Sequence, residues 1–218
     1  MLRAQGIKKS YGALRVLKGV DIQIAEGEVV AIVGASGAGK STLLHLLSTL
    51  DTPDEGTVWM DGLNIYQKSA SELAAFRNKH MGFVFQFHNL LPEFSALENV
   101  MIPGLIARDP ESAVKKKATD LLVRLGLQER LHHKPSELSG GEQQRTAVAR
   151  ALVNSPRLVF ADEPSGNLDS KNAAELHQLF LQLRQELKHT FVIVTHNPDF
   201  AAMADRKLEI RDGVMVRD

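Results

Sequence analysis

The sequence of 218 residues contains no cysteine, and that absence excludes disulfide bonds and thiolate metal sites. No segment approaches the ~18 uninterrupted apolar residues that a membrane-spanning helix requires. The N-terminus, MLRAQGIKKSYG, also lacks the apolar region of a cleaved signal peptide. We therefore expect a soluble protein that is not exported by a cleaved signal and that serves a membrane only through a partner.

An excess of charge of either sign is also missing, since 26 Lys and Arg residues balance 26 Asp and Glu residues. A chain with a pI near 7.1 lacks the overall basic character of proteins that grip nucleic acid through phosphates. We therefore expect no nucleic-acid partner. The length suits one large domain better than two independent ones.

Short strand and helix patterns alternate along most of the chain. Continuous apolar, β-branched runs, as in EVVAIVG, RLVFAD and HTFVIVTH, are typical of buried parallel strands. The N-terminal strands, with their Glu-Gly and Asp-Gly pairs, favour an antiparallel flank. The pattern predicts a single α/β domain, with the core and β flank in residues 1–90 and 158–218 and a helical subdomain at about 91–157.

Local signals predict several element ends. Ser69 with Glu72 has the form of a capping box at a helix start. For a later helix, the pattern predicts Asp109 as the N-cap, Pro110 as the first helical residue and Gly126 as the stop. The Asp212-Gly213 pair predicts a C-terminal hairpin.

A complete phosphate-loop motif, Gly34-x4-Gly39-Lys40-Ser41, lies between an apolar strand and a predicted helix. In such a loop, backbone N–H groups and the helix N-terminus surround anionic phosphates, Lys40 reaches the β and γ phosphates, and Ser41 ligates Mg2+. The motif therefore predicts a P-loop fold that binds a nucleoside triphosphate. The predicted phosphate-binding residues are Gly34, Ala35, Ser36, Gly37, Ala38, Gly39, Lys40, Ser41 and Thr42.

A strand that ends in Asp162-Glu163 supplies the second half of such a site. Asp162 is placed to hold Mg2+, and Glu163 to orient or deprotonate an attacking water. The guanine-reading pattern Asn-Lys-x-Asp is absent, because Asn78-Lys79 continues as His80-Met81. Tyr11 is a candidate to stack on adenine, and the alternative is an ordinary packed aromatic residue.

The segment LSGGEQQR, residues 138–145, starts a helix in an unusual way. Ser139 with Glu142 forms a second capping-box pattern, but Gly140 and Gly141 fill the first turn. Each glycine weakens a helix by about 1 kcal/mol relative to alanine, and a cap requires neither. We therefore expect another group to come close to the backbone here.

The phosphate loop, LSGGEQQR, VFADEP, SGNLD and VTH occur in the order and spacing of ATP-binding cassette (ABC) ATPases, and the chain resembles that family over nearly its whole length. The resemblance implies that Gln86 lies near Mg2+ and the attacking water, that His196 contacts the γ-phosphate, and that Asp169 lies at a subunit interface. It also implies a head-to-tail homodimer around two ATP, in which Ser139, Gly140 and Gly141 serve the nucleotide of the neighbouring copy.

The stretches Phe85–Pro103 and ALVNSPRLVFADEPSGNLD are similar to the ATPase subunits of lipoprotein-releasing transporters. MacB-type efflux cassettes and FtsE-type cell-division cassettes share much of this pattern. The resemblance implies integral membrane permease partners of the LolC/LolE type and a peripheral location on the cytoplasmic face of the bacterial inner membrane. A DNA-repair ATPase of the same superfamily would usually carry a long insertion before LSGGEQQR, and the compact spacing argues against that alternative.

The segment FHNLLPEF places four large apolar residues among turn-forming residues: Phe87, Leu90, Leu91 and Phe94. One interpretation is that they pack beneath the helical insert as a satellite core. The other is that they form a socket for a cytoplasmic helix of the membrane subunits, because a surface loop this apolar needs a cover.

Overall fold

The computed structural model describes residues 1–187 and 189–216, which form two sheets and seven α-helices. The strands are β1 Leu2–Tyr11, β2 Leu14–Ile24, β3 Val29–Val33, β4 Glu55–Met60, β5 Leu63–Asn64, β6 Met81–Phe85, β7 Leu158–Asp162, β8 Thr190–Val194, β9 Arg206–Arg211 and β10 Val214–Val216. The helices are α1 Lys40–Leu47, α2 Ala70–His80, α3 Ala96–Ile106, α4 Glu111–Arg124, α5 Gly140–Leu152, α6 Ser170–Leu187 and α7 Pro198–Met203.

The larger sheet has six strands in the order β10-β9-β3-β8-β7-β6. Its strands from β9 to β6 run parallel, and β10 returns antiparallel to β9. Side chains alternate across the sheet, so that Phe160 and Val192 enter one core while Ala161 and Ile193 enter another. Burial on both faces explains why these strands are continuously apolar in the sequence.

The smaller sheet is antiparallel, in the order β2-β1-β4-β5. Its inward side chains share the first core with α1 and one face of the parallel sheet. The second core joins the opposite face of the parallel sheet to α3, α4, α5 and α6. The predicted parallel core sheet, antiparallel flank and helices are therefore all present, and the phosphate loop lies where the two sheets meet α1.

Most of the predicted element ends agree with the structure. Both capping boxes form, one from Ser69 and Glu72 before α2 and one from Ser139 and Glu142 before α5. Gly126 follows α4 with φ of 74°. The β9-β10 hairpin turns at Asp212 and Gly213, both with positive φ, as the Asp-Gly pair predicts.

The predicted start of α4 is wrong. Pro110 is the residue that flanks the helix, with an extended ψ of 128°, and Glu111 is the first helical residue. Asp109 lies three residues beyond α3, and its backbone N–H donates to the carbonyl of Gly104 in that helix at 3.2 Å. The acidic side chain that the sequence suggested as a cap therefore makes no cap.

Within residues 1–187 and 189–216, the helices are all too short or too polar to cross a membrane.

Candidate functional site

The phosphate loop joins the end of β3 to the start of α1 through glycines that no other residue replaces without strain. Gly34 has φ of 150°, and a Cβ there would lie 2.2 Å from the Ile210 carbonyl oxygen. Gly39 has φ of 103°, and its Cβ would lie 2.8 Å from Leu17 Cδ2. Within the part of the chain that the structure describes, no side chain caps α1. Its first N–H groups are therefore available to an anion, as a phosphate site requires.

The Lys40 ammonium group is held over this loop. Its Nζ donates to the backbone carbonyls of Gly34 and Ala35, each at 3.0 Å. No carboxylate among the described residues forms an ion pair with it, although Asp162 is close enough to interact with its charge. An anion at the loop would meet both this charge and the positive end of the α1 dipole.

Ser41 and Asp162 provide adjacent hard oxygen atoms. Ser41 Oγ donates to Asp162 Oδ1 at 3.0 Å, although the two residues lie 121 positions apart. Burial raises the pKa of Asp162, and the Ser41 hydrogen bond opposes that shift. A bound cation would compensate the cost of keeping this half-buried carboxylate ionised.

A cavity of about 370 Å³ opens beside this pair. Its lining includes Ser41, His45, Gln86, Asp162 and Glu163. No cluster of three or more His, Asp or Glu side chains suited to a metal ion occurs within residues 1–187 and 189–216. The donor set of one carboxylate, one hydroxyl and one amide nevertheless fits Mg2+, which typically uses one or two carboxylates together with substrate phosphates.

Glu163 occupies a strained position directly after β7. Its φ is 46°, and its backbone N–H donates to the Val194 carbonyl at 2.9 Å. Glu163 Oε2 accepts hydrogen bonds from His196 Nδ1 at 2.8 Å and from the His196 backbone N–H at 3.2 Å. The predicted base and the predicted γ-phosphate contact therefore lie against each other. Strain at such a residue is typical of functional sites.

Gln86 lies in the same cavity, but its side chain is engaged by a residue that the sequence did not single out. Gln86 Nε2 donates to Asn167 Oδ1 at 3.0 Å. Four of the predicted site residues therefore line one cavity, namely Ser41, Gln86, Asp162 and Glu163. A fifth, His196, contacts Glu163, and Asn167 contacts Gln86.

Tyr11 is not an ordinary packed aromatic residue. It is 50% exposed, and its hydroxyl donates to Asp51 Oδ2 at 2.7 Å. That hydrogen bond raises the pKa of the Tyr11 phenol. Lys9 Nζ lies 5.2 Å from the ring centroid and also pairs with Asp51. The ring is thus held at the surface at the end of β1, where a base could stack on it.

The two glycines at the start of α5 differ in what a side chain would meet at each position. A Cβ at Gly141 would lie 2.5 Å from Asn172 Oδ1, so packing inside the chain already favours glycine there, because a larger residue would displace the Asn172 amide. A Cβ at Gly140 would come no closer than 3.7 Å, to Leu168 Cδ2, which is an ordinary contact. The expectation of an approaching group therefore rests on exposed Ser139 and Gly140. The residues that line the Ser41–Asp162 cavity do not include them.

Asp169 is exposed at the start of α6. Its Oδ1 accepts the Asn172 backbone N–H at 2.9 Å and its Oδ2 accepts the Asn172 amide at 2.7 Å. The backbone hydrogen bond lowers the pKa of Asp169. Asn172 also lies against Gly141, so the Asn172 side chain connects the segment around Asp169 to the first turn of α5.

Two supporting contacts were not predicted from the sequence. The Gly213 N–H donates to the Ala38 carbonyl at 3.2 Å, so the C-terminal hairpin braces the phosphate loop. Buried His177 lies 3.0 Å from Ser165 Oγ and stacks on Phe200. The Asp-Gly pair predicted the hairpin but not its contact with the phosphate loop. A single histidine within a helix belongs to no sequence motif, so the contact between His177 and Ser165 could not be predicted.

The apolar segment after Gln86 lies at the surface of the chain. Phe87, Leu91 and Phe94 are 70%, 43% and 41% exposed. Buried Asn99 holds the segment, because its amide accepts from the Leu91 N–H and donates to the Leu91, Phe94 and Ser95 carbonyls. The interpretation as a satellite core is therefore wrong for these three side chains.

Comparison with known proteins agrees with this geometry. A sequence profile of the ABC transporter family matches residues 17–166. The lipoprotein-releasing system ATP-binding protein LolD of Bacteroides fragilis is 57% identical over 216 residues, covering 99% of this chain and 100% of that protein. LolD of Geobacter metallireducens is 50% identical over 222 residues, covering 100% of this chain and 99% of that protein.

Solved structures agree over the same length. The ATP-binding cassette MJ0796, in a dimeric post-hydrolysis state bound to ADP and Pi, has a TM-score of 0.91 and 39% identity, covering 100% of this chain and 97% of that one. The cassette cbiO1 from Clostridium perfringens, part of the ABC transporter complex cbiONQ, has a TM-score of 0.90 and 28% identity, covering 99% and 86%. The chain therefore belongs to the ABC transporter family of ATP-binding proteins, and it is an ATPase of that family.

Proposed function

We propose that this chain is the ATP-hydrolysing subunit of a transporter that releases lipoproteins from the inner membrane. The observation that supports this assignment most directly is that relatives named for this system are 50–57% identical over nearly the whole of both chains. In this proposal the subunit is peripheral on the cytoplasmic face of the bacterial inner membrane. Its partners are a second copy of itself and permease subunits of the LolC/LolE type.

ATP is proposed to bind along the loop from Gly34 to Thr42, with Lys40 on the β and γ phosphates and adenine on Tyr11. The positive charge of Lys40 over the loop and the uncapped start of α1 support this placement. Ser41, Asp162 and Gln86 are proposed to hold Mg2+. When bound, Mg2+ would neutralise developing charge on the phosphate oxygens.

Glu163 is proposed as the general base that takes a proton from the attacking water. His196 is proposed to donate a hydrogen bond to the γ-phosphate. In the structure His196 Nδ1 donates to Glu163 Oε2, which leaves the other ring nitrogen, Nε2, for the γ-phosphate. Both hydrogen bonds from His196 go to Oε2, so Glu163 Oε1 is the oxygen proposed to take the proton from water.

Ser139, Gly140 and Gly141 are proposed to complete the ATP site of the neighbouring copy, with Asp169 at the interface. The helix start at Gly140 is exposed and carries no side chain, and both this and the dimeric cassette MJ0796 support the arrangement. Loss of that phosphate on hydrolysis would remove the contact. A chemical step would then become a motion of one subunit against the other.

The helical subdomain at about residues 91–157 and the exposed segment with Phe87, Leu90, Leu91 and Phe94 are proposed to carry this motion to the permeases. The exposure of three of these apolar side chains supports a docking role. Gln86 precedes the segment directly in the chain, so a change at the nucleotide would be transmitted to the docking surface.

Co-expression with the candidate membrane subunits tests the proposal. We expect the tagged chain to copurify with permeases and to release lipoproteins from vesicles in the presence of ATP. A Glu163→Gln chain serves as the matched control, because it should copurify equally but release nothing. Recovery of a division-complex partner, an efflux partner or DNA in place of lipoprotein-release subunits would contradict the assignment.

A further inference from the structure

The turn that follows Glu163 contacts the Gln86 side chain directly. Gln86 Nε2 donates to Asn167 Oδ1 at 3.0 Å, and Asn167 Nδ2 donates to the Gln86 backbone carbonyl at 3.2 Å. These two hydrogen bonds join residues that lie 81 positions apart. They link the segment after β6 to the turn after β7.

This reciprocal pair determines which end of the Gln86 amide faces Asn167. A backbone carbonyl only accepts hydrogen bonds, so Asn167 must turn its NH2 group toward Gln86 O. The Asn167 oxygen is then left to face the Gln86 side chain, which must present Nε2 to it. Gln86 Oε1 makes no hydrogen bond within the described part of the chain. That oxygen is the atom through which an amide ligates a hard cation.

Gly166 provides the space for this contact. A Cβ at Gly166 would lie 2.8 Å from Gln86 Nε2 and 3.0 Å from Gln86 Cδ. Its φ lies outside the left-handed region, so close approach rather than backbone conformation explains the glycine. Alanine at this position would keep the backbone and push the Gln86 side chain away.

We propose that Asn167 is a positioning residue that orients the Gln86 amide with Oε1 free for the Mg2+ site at Ser41 and Asp162. The inference rests on the proposed role of Gln86, which shares a cavity with those two residues. Groups that orient metal ligands commonly contribute ~10–100-fold to metal affinity. Asn167 therefore acts on Mg2+ only through Gln86.

Binding of a fluorescent ATP analogue to the Glu163→Gln chain, titrated with Mg2+, tests the proposal without turnover. We expect Asn167→Ala and Gly166→Ala to raise the Mg2+ concentration for half-maximal binding by about tenfold. Gln128→Ala removes an exposed surface amide and should change nothing. Unchanged melting temperatures without nucleotide would show that both site variants are folded. A normal Mg2+ requirement in folded Asn167→Ala would overturn the proposal.

A double-mutant cycle separates this inference from the proposed role of Gln86. Gln86→Ala should itself raise the Mg2+ requirement, and adding Asn167→Ala to it should have no further effect. A further loss of similar size would show that Asn167 does not act through Gln86. If Gln86→Ala leaves the Mg2+ requirement normal, the metal-binding role of Gln86 fails. If only Gln86→Ala has an effect, that role stands and the positioning role of Asn167 fails.

Discussion

Glu163 has a strained backbone, and its carboxylate is hydrogen-bonded to His196. Its replacement by glutamine tests its role as the general base. The amide keeps the shape and can still accept from the His196 N–H groups, but it cannot take up a proton from water. We expect ATP hydrolysis to fall by about 10²–10⁴-fold, while ATP binding persists and an ATP-bound dimer accumulates. Phosphate release and size-exclusion chromatography measure the two effects. Near-normal hydrolysis would remove Glu163 from the catalytic role.

Among single residues, those that belong to motifs with a fixed spacing along the chain could be predicted from the sequence. Lys40, Ser41 and Glu163 belong to such patterns. The parallel strands β3 and β7, which lie on either side of β8, bring Asp162 to Ser41. Asn167 was not singled out, because an amide in a turn carries no spacing rule and its partner lies far away in the chain. Gly141 was assigned to an outside partner, since only the structure reveals Asn172 against it.

The first turn of α5 offers a matched pair of substitutions at the scale of one element. Gly140→Ala adds a methyl group that makes only an ordinary contact with Leu168, and it improves helix propensity by up to about 1 kcal/mol, so the unfolding free energy should hold or rise. The same methyl group should hinder the neighbouring nucleotide. We therefore expect ATP-induced dimerisation of the Glu163→Gln chain to weaken by about tenfold, or about 1.4 kcal/mol.

Gly141→Ala is the contrasting variant, because its methyl group would meet Asn172 Oδ1 within the same chain. Because this methyl group must displace the Asn172 amide from Asp169, we expect its unfolding free energy without nucleotide to lie below that of Gly140→Ala, measured by thermal melting. If Gly140→Ala destabilises the isolated chain as much as Gly141→Ala does, the bare backbone at Gly140 has an internal cause and the shared-site argument loses that support.

The exposed loop before α3 supports a second prediction at this scale. Leu91→Gln and Phe94→Ser change side chains that are 43% and 41% exposed, so the unfolding free energy should fall by no more than about 1–2 kcal/mol. Copurification with the membrane subunits should be lost, because the loop would no longer present an apolar surface. Leu97→Ala, at a buried position on α3, is the destabilising control and should cost ~2–5 kcal/mol. Destabilised loop variants that still bind the partner would contradict the docking role.

Element positions were easier to predict than their exact ends. Long apolar runs identified β3, β7 and β8, because both faces of these strands are buried. The start of α4 was misplaced because Asp109 satisfies its backbone through Gly104 at the end of α3. A sequence window shows the acidic side chain and the following proline, but not this backbone contact.

For the whole molecule, a site shared between two copies predicts that complementary defects recover function. Lys40→Ala should weaken ATP binding at a subunit's own phosphate loop, and Ser139→Arg should block closure over the neighbour's ATP. In a head-to-tail dimer of one variant with the other, one site carries both defects and the other site carries neither. We expect each variant alone to be inactive and the mixture to regain partial ATPase activity.

Differently tagged subunits, purified in tandem, ensure that only heterodimers are assayed. Heterodimers that regain nothing would show either that each site is built within one subunit or that both sites must fire together. Retention of one trapped ATP by heterodimers that also carry Glu163→Gln, after gel filtration, separates these cases, because only shared sites leave one site free of both defects and able to close.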